Sequence, residues 1–286
     1  MKKVISLVLL LVMVALTACG GSGTATSPSS QQASPSASSE PASQSAAESA
    51  PAAESDYEYV KNKGSMLIGY TVYEPMNYTD ENGVFTGFDT ELAQAVCEEL
   101  GVTPEFVEIN WDTKEIELNA KSIDCIWNGL TITDERKETM SITNPYVKNA
   151  QVIVMKADAE YTDPSSLVGK TVCAEAGSAG EKTIEENESL SQAQYISKEV
   201  QTACLMEVAA GTADAAVLDL TLANAMIGEG TDYSNLAIRD RLAVEDYGVA
   251  FRKGSDLCDK VNDIFAKLKA DGTMAALAEK YGLDLA

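Results

Sequence analysis

An α/β fold with mainly parallel strands is what this sequence predicts. Short apolar runs alternate with segments of helix length. The longer segments carry apolar residues at three- and four-residue spacing, the stripe that packs a helix onto a sheet. Hydrophobic residues make up 45% and charged residues 23%, the balance of an ordinary soluble domain. Strands that return to one sheet through a helix run parallel, so the alternation sets the class.

The elements follow in order. Residues 66–70 predict a first strand. A helix is expected from about 90 to 100, with Asp89 placed to cap its first N–H groups and Gly101 to close it. Leu92, Ala93, Val96 and Leu100 form its buried stripe. Residues 106–109 and 123–127 read as further strands, and 151–155, 171–174 and 215–218 continue the series. Segments around 181–188, 199–210 and 220–227 read as helices. Leu257, Val261, Ile264, Phe265 and Leu268 recur at helical spacing, and a last helix follows Gly272. In open α/β sheets ligands bind beyond the carboxyl ends of strands, which is where functional residues are to be sought.

Charge narrows the function. Lys and Arg total 21 against 44 Asp and Glu, a net charge of -23 over 286 residues. Phosphate backbones repel such a chain, which excludes nucleic acid as a partner. Anionic lipid repels it too, so a membrane can hold it only through a separate anchor. There is no histidine, which removes His-dependent triads, His general bases and His-ligated metals.

The N-terminus supplies an anchor. Met1-Lys2-Lys3 precedes an apolar run over 4–16, too short for a spanning helix of roughly 20 residues. Residues 1–18 therefore read as an export signal. Leu16-Thr17-Ala18-Cys19 resembles the lipobox of bacterial lipoproteins, which implies acylation of Cys19 after cleavage; the alternative is an ordinary secretory signal with a chance Cys. Residues 20–56 hold twelve Ser, nine Ala and four Pro, with no Val, Ile, Leu, Met or aromatic residue. They have nothing to bury, so 19–56 is expected to be a lipidated Cys and a disordered tether. Beyond it stand Cys97, Cys125, Cys173, Cys204 and Cys258. An odd count cannot pair fully, and their apolar surroundings predict buried free thiols. No metal or cofactor is expected.

Gly87-Phe88-Asp89-Thr90-Glu91-Leu92, followed by Val96, Cys97 and Leu100, resembles the signature of family 3 bacterial extracellular solute-binding proteins, the amino-acid receptors of ABC importers. The stretch from Ile123 through Asn128-Gly129-Leu130-Thr131 to Arg136 is similar to another block of that family. So are Asn144-Pro145-Tyr146, Gly169-Lys170-Thr171-Val172 with Gly177-Ser178, Gly211-Thr212-Ala213-Asp214-Ala215 with Asp219, and Tyr247-Gly248-Val249-Ala250-Phe251. The resemblance implies a two-lobe, periplasmic-binding-protein-like fold with a ligand cleft between lobes joined by two hinge strands. Lobe 1 would take 57–147 and 246–286, and lobe 2 would take 151–243.

By family position, Arg136 holds the ligand carboxylate, because a guanidinium donates two parallel hydrogen bonds. Thr131 can bridge both ligand charges, and the Gly129 carbonyl and Asp219 take the ammonium. Ser178 and Ala179 open a helix whose N–H groups add to carboxylate binding. Tyr73 and Trp111 fall where the family sandwiches the ligand side chain, and Asn128 offers it both a donor and an acceptor. Trp127 alternates with Asn128 and so faces the core if Asn128 faces the cleft. The sequence departs from the family pattern at Met76, at Glu115-Ile116-Glu117, at Ala179 in place of Thr and at Glu175 in place of Gln. The implied protein is a monomeric, non-enzymatic receptor delivering a free amino acid to ABC permease subunits. Arg136 being the sole cleft Arg favours a neutral, polar amino acid, with cystine as the nearest rival. Glu74 and Glu175 would hold a cationic side chain if both pointed inward. The alternative activity is an exported dehydratase acting on prephenate or arogenate, with Glu175 or Glu74 as general acid.

Overall fold

Two long strands organise the sheet in the computed structural model, which describes residues 55–286. These are β7 (Val147–Lys156) and β11 (Leu236–Arg252), the seventh and eleventh strands in chain order, paired antiparallel from Tyr247↔Val147 to Leu236↔Lys156. On the β11 side lie β5 (Cys125–Thr131), β1 (Ser65–Tyr70) and β4 (Thr103–Glu108). On the β7 side lie β10 (Ala215–Asp219), β8 (Thr171–Glu175) and β9 (Gln194–Lys198). The short β6 (Met140–Ile142) pairs with the end of β11, and β2 (Tyr78–Thr79) with β3 (Phe85–Thr86) forms a separate hairpin.

Within each half the strands joined through helices are parallel: β1 with β4 and β5, and β8 with β9 and β10. The two crossing strands break that rule. β11 runs antiparallel to β5 and β7, and β7 runs antiparallel to β10. The sheet is therefore mixed rather than mainly parallel, because the chain passes between the halves with no helix intervening. Each half is a small α/β layer with its own helices, and β7 and β11 belong to both. This is the two-lobe, periplasmic-binding-protein-like fold.

In the first half the helices are α1 (Asp56–Lys63), α2 (Phe88–Leu100), α3 (Lys114–Asn119), α4 (Asp134–Thr139), α8 (Leu257–Ala270) and α9 (Thr273–Tyr281). The second half holds α5 (Ala179–Glu186), α6 (Gln201–Ala210) and α7 (Leu220–Met226). The α2 stripe is buried as its spacing predicts, and Gly101 closes the helix at φ 70°. Asp89 does not cap it. The helix begins two residues earlier with Gly87 as its cap, and the Asp89 carboxylate turns inward to accept the Gly129 N–H at 2.7 Å and the Tyr146 hydroxyl at 2.9 Å.

Ser55 and Asp56, read above as the end of the tether, are folded. Ser55 caps α1, and Asp56 is buried against Arg252. The signal, Cys19 and the rest of the tether lie outside the described residues. All five cysteines beyond residue 55 are buried and free. Trp127 is fully buried, its ring 5.6 Å from that of Phe265. Among the described residues no helix is long and apolar enough to cross a membrane.

Candidate functional site

The carboxyl ends of β5, β8 and β10 meet where the two halves face one another. There Asn128, Gly129 and Thr131 from β5, Glu175 from β8 and Asp219 from β10 line a tight cavity of about 10 Å³. Trp111, Arg136, Ser178 and Ala179 complete it with Gln201, the first residue of α6. Nine of the ten residues expected at the ligand site are thus brought together. On the Arg136 side the cavity widens into a mouth bordered by Glu115, Glu135, Glu181 and Lys182.

Arg136 reaches the cleft because Thr133 caps α4 and turns its first residues inward, its hydroxyl accepting the Arg136 N–H at 3.1 Å. The guanidinium donates to the Thr131 carbonyl at 2.8 Å and, across the cleft, to the Gly177 carbonyl at 3.3 Å. Burial pulls its pKa below the usual value, opposed by Glu245 and other carboxylates. Gly177 sits at φ 67°, and an added Cβ would lie 3.0 Å from the Asp112 backbone. That close approach lets its carbonyl also accept the buried Lys114 ammonium at 2.9 Å. Lys114 bonds the Trp111 carbonyl as well and lies 5.0 Å from the Trp111 ring centre. Burial, then the nearby Arg136 charge, pulls its pKa down to about 8.

Opposite these cations stand three carboxylates. Asp219 and Glu245 share donors: the side-chain amides of Asn149 and Gln151 each reach both, at 2.6–2.8 Å. The Thr131 hydroxyl donates to Glu245 at 3.1 Å, and the Gln201 amide donates to Asp219. Burial raises both pKa values, and for Glu245 the Asp219 charge adds to it. Glu175, held by the Thr71 hydroxyl at 3.4 Å, is pushed up to about 8 by burial and then by Asp219.

Some expected contacts are already engaged within the protein. The Asn128 amide donates to the Thr71 carbonyl and to Asn77, and accepts from the Thr71 N–H and hydroxyl. It lines the cavity with its polar atoms engaged. The Ser178 hydroxyl accepts the Glu181 N–H as the cap of α5. Tyr73 does not join the lining. It is buried beneath Gly129, its hydroxyl bonded to Thr221 and, at 2.5 Å, to Tyr247. Gly129 adopts φ 58° there, and a Cβ would fall 2.7 Å from the Tyr73 ring and 3.0 Å from Tyr247. Glu74 is not among the lining residues.

The model of the bacterial extracellular solute-binding proteins, family 3, matches residues 66–284. The chain belongs to this family. Among its curated relatives in the family is the L-cystine-binding protein TcyJ of Escherichia coli, 31% identical over 79% of this chain and 86% of that one. A solved ArgBP variant from T. maritima is 32% identical, with a TM-score of 0.73 over 79% of this chain and 98% of that one. The ancestral amino-acid-binding protein AncCDT-1, a precursor of cyclohexadienyl dehydratase, is 31% identical, with a TM-score of 0.72 over 79% and 99%.

In this solute-binding protein, sequence reasoning missed Gln201, Lys114 and Glu245. Gln201 opens a helix directly after β9, so the strand-end rule could have found it. Lys114 stands three residues after Trp111 and is visible only as a charge beginning a short acidic helix. Glu245 lies in the half-exposed middle of β11, where charges interrupt any apolar alternation.

Proposed function

We propose that this protein is an extracytoplasmic receptor that binds one free α-amino acid and passes it to an ABC importer. One observation carries the reading: Arg136 on one wall and Asp219 on another share a single small cavity, with Gly129 and Thr131 between them and Glu245 behind Thr131 at the adjoining mouth. A zwitterion needs that arrangement, since each charge it loses from water must find a partner. The lobes, 57–147 with 246–286 and 151–243, close on it by bending β7 and β11. Co-purifying ligand identified by mass spectrometry tests the reading, and a ligand without an α-amino acid group would refute it.

Charge balance supports a neutral, polar side chain. The ligand's carboxylate faces Arg136 and its ammonium faces Asp219 and Glu245; with Glu175 protonated, Arg136 and Lys114 balance those two acids, which leaves no net charge for the side chain to answer. Glu175 also supports a second reading, a cationic side chain, in keeping with the arginine-binding protein of T. maritima. A thermal-shift screen of amino acids, cystine included, on ligand-stripped protein decides between them. Arginine, lysine or ornithine giving the largest shift would overturn the neutral reading. As a buried acid that keeps its proton near neutral pH, Glu175 likewise has the character of a general acid in a dehydratase. No turnover of prephenate or arogenate is expected, and formation of a product would reverse that assignment.

The receptor acts as a monomer held at the membrane through acylated Cys19. Cys19→Ala is expected to release it or block its processing. A variant that fractionates with membranes at the wild-type level with an acylated N-terminus would exclude this anchor.

A further inference from the structure

We infer that Glu245 and Asp219 hold one proton between them and surrender it when the ligand's ammonium binds, which ties the receptor's affinity to external pH. The inference rests on the amino-acid reading above and adds Glu245 to the groups that set it.

The geometry is that of a pair. Asp219 Oδ1 and Glu245 Oε1 accept from the same two amides, Asn149 at 2.6 Å from each and Gln151 at 2.6 and 2.8 Å. With both amide nitrogens within 2.8 Å of both oxygens, the two carboxyl groups sit side by side. Two buried like charges side by side do not both ionise, so one proton stays on the pair. Asn149 is itself fixed, its carbonyl oxygen accepting the Thr221 N–H at 3.2 Å. The amides are thus oriented to serve both acids at once.

Other titratable groups face the pair. Tyr73 and Tyr247 feel both carboxylates, and burial keeps their hydroxyls protonated far above neutral pH. Arg136 remains charged and draws on Glu245 and Asp219. Glu175 lies beside Asp219 and keeps its proton near neutral pH, with Lys114 next to it. None of these supplies the pair with a close cation bound by hydrogen bonds. An ammonium arriving between Asp219 and Gly129 does, and it favours the fully ionised pair. The proton then leaves to solvent through the mouth beside Arg136.

Linkage fixes the sign. While ligand-free protein carries the proton and bound protein does not, affinity falls about tenfold for each unit that pH drops. The protein therefore holds its ligand in neutral or alkaline surroundings and loosens it in acid.

The test has a ligand-free arm and a ligand arm. Carbon-13 carboxyl NMR of ligand-stripped protein is expected to show Glu245 and Asp219 titrating in two coupled steps, the upper near or above neutral. Both titrating independently below pH 5 would overturn the inference. Calorimetry with L-serine, L-glutamine, L-cystine, L-arginine and L-lysine in buffers of different ionisation enthalpy is then expected to show about one proton released per bound ligand at pH 7. Glu245→Gln retains the acceptor oxygen for the amides, so it is expected to abolish the release and flatten the pH profile. Glu175→Gln weakens binding but keeps the slope. Release that persists in Glu245→Gln assigns the proton elsewhere and sinks the inference. If the shared proton is present yet no amino acid binds, the amino-acid reading fails, and the ligand linkage fails with it, while the pair itself stands.

Discussion

Arg136 has five N–H donors, and two of them meet backbone carbonyls, those of Thr131 and Gly177. Among the described residues no carboxylate comes within ion-pair distance of its guanidinium. The remaining donors suit a planar carboxylate, which is the ground for proposing the α-carboxylate there. Removing one partner of such a buried pair costs roughly 2–5 kcal/mol, or about 30-fold to several-thousand-fold in affinity. Arg136→Ala is expected to weaken binding in that range by calorimetry, and a change within about threefold would remove Arg136 from the role. Arg136→Lys is expected to bind poorly as well, because an ammonium cannot reproduce the fork. Gly177 acts from the other wall. Its left-handed φ and its approach to Asp112 admit no side chain without strain, a penalty of about 1–2 kcal/mol. Gly177→Ala is expected to push the wall away from Lys114 and Arg136 and speed ligand release by roughly 5–30-fold, read by stopped-flow dissociation. An unchanged off-rate would show that this contact does not hold the cleft shut.

At the scale of elements, α1 is the part most tightly bound by charge. The Arg252 guanidinium donates to both Asp56 oxygens at 3.0–3.1 Å and to the Leu118 and Ile123 carbonyls, so one buried side chain ties α1, α3 and β11 together. Asp56→Ala removes the carboxylate hydrogen-bonded to that charge and leaves only the longer Asp124 pair, a cost of up to about 3–5 kcal/mol. The expected result is a lower Tm with ligand contacts intact, and an unchanged Tm would mean that Asp124, 3.6 Å away, suffices alone. α1 also shows what sequence reasoning loses. Its residues are largely polar, and nothing in Asp56-Tyr57-Glu58 separates a docked helix from the end of a linker until Arg252 is seen beneath it. The apolar strands and α2 were legible because one face of each is buried with a regular period. β11 was not, since its residues 237–246 are partly or fully exposed and interrupted by charges. The site divides in the same way. Residues at strand ends carry a positional signal, whereas Tyr73, expected in the cleft, is drawn under Gly129 by two hydroxyl partners distant in sequence, Thr221 and Tyr247.

For the whole molecule, the buried acids set how stability depends on pH. Burial raises Glu175 to about 8 and Asp89 to about 7, and it raises Asp219 and Glu245 as well. Each of these groups ionises near its ordinary value of about 4 in the unfolded chain. Between about pH 4 and pH 8 the folded protein therefore binds more protons than the unfolded one, and unfolding free energy falls as pH rises. Stability from these groups is fully present below about pH 4 and is lost through the window up to about 8. The overall charge of -23 acts in the same direction, because self-repulsion grows as carboxylates ionise. The carboxylates with lowered pKa values, such as Glu135, Glu207 and Asp271, oppose this only in stronger acid and are solvent-exposed. Ligand-stripped protein is thus expected to melt higher at pH 5 than at pH 8, by roughly 5–10 °C for a few kcal/mol. Raising salt to about 1 M screens the surface repulsion but leaves the buried acids, so most of the difference is expected to survive it. Saturating ligand is expected to shrink the difference, since its ammonium stabilises the ionised pair at high pH. A Tm that rises from pH 5 to pH 8 in ligand-stripped protein would contradict the assignment of raised pKa values to these acids, and with it the charge balance from which the ligand's neutral side chain was argued.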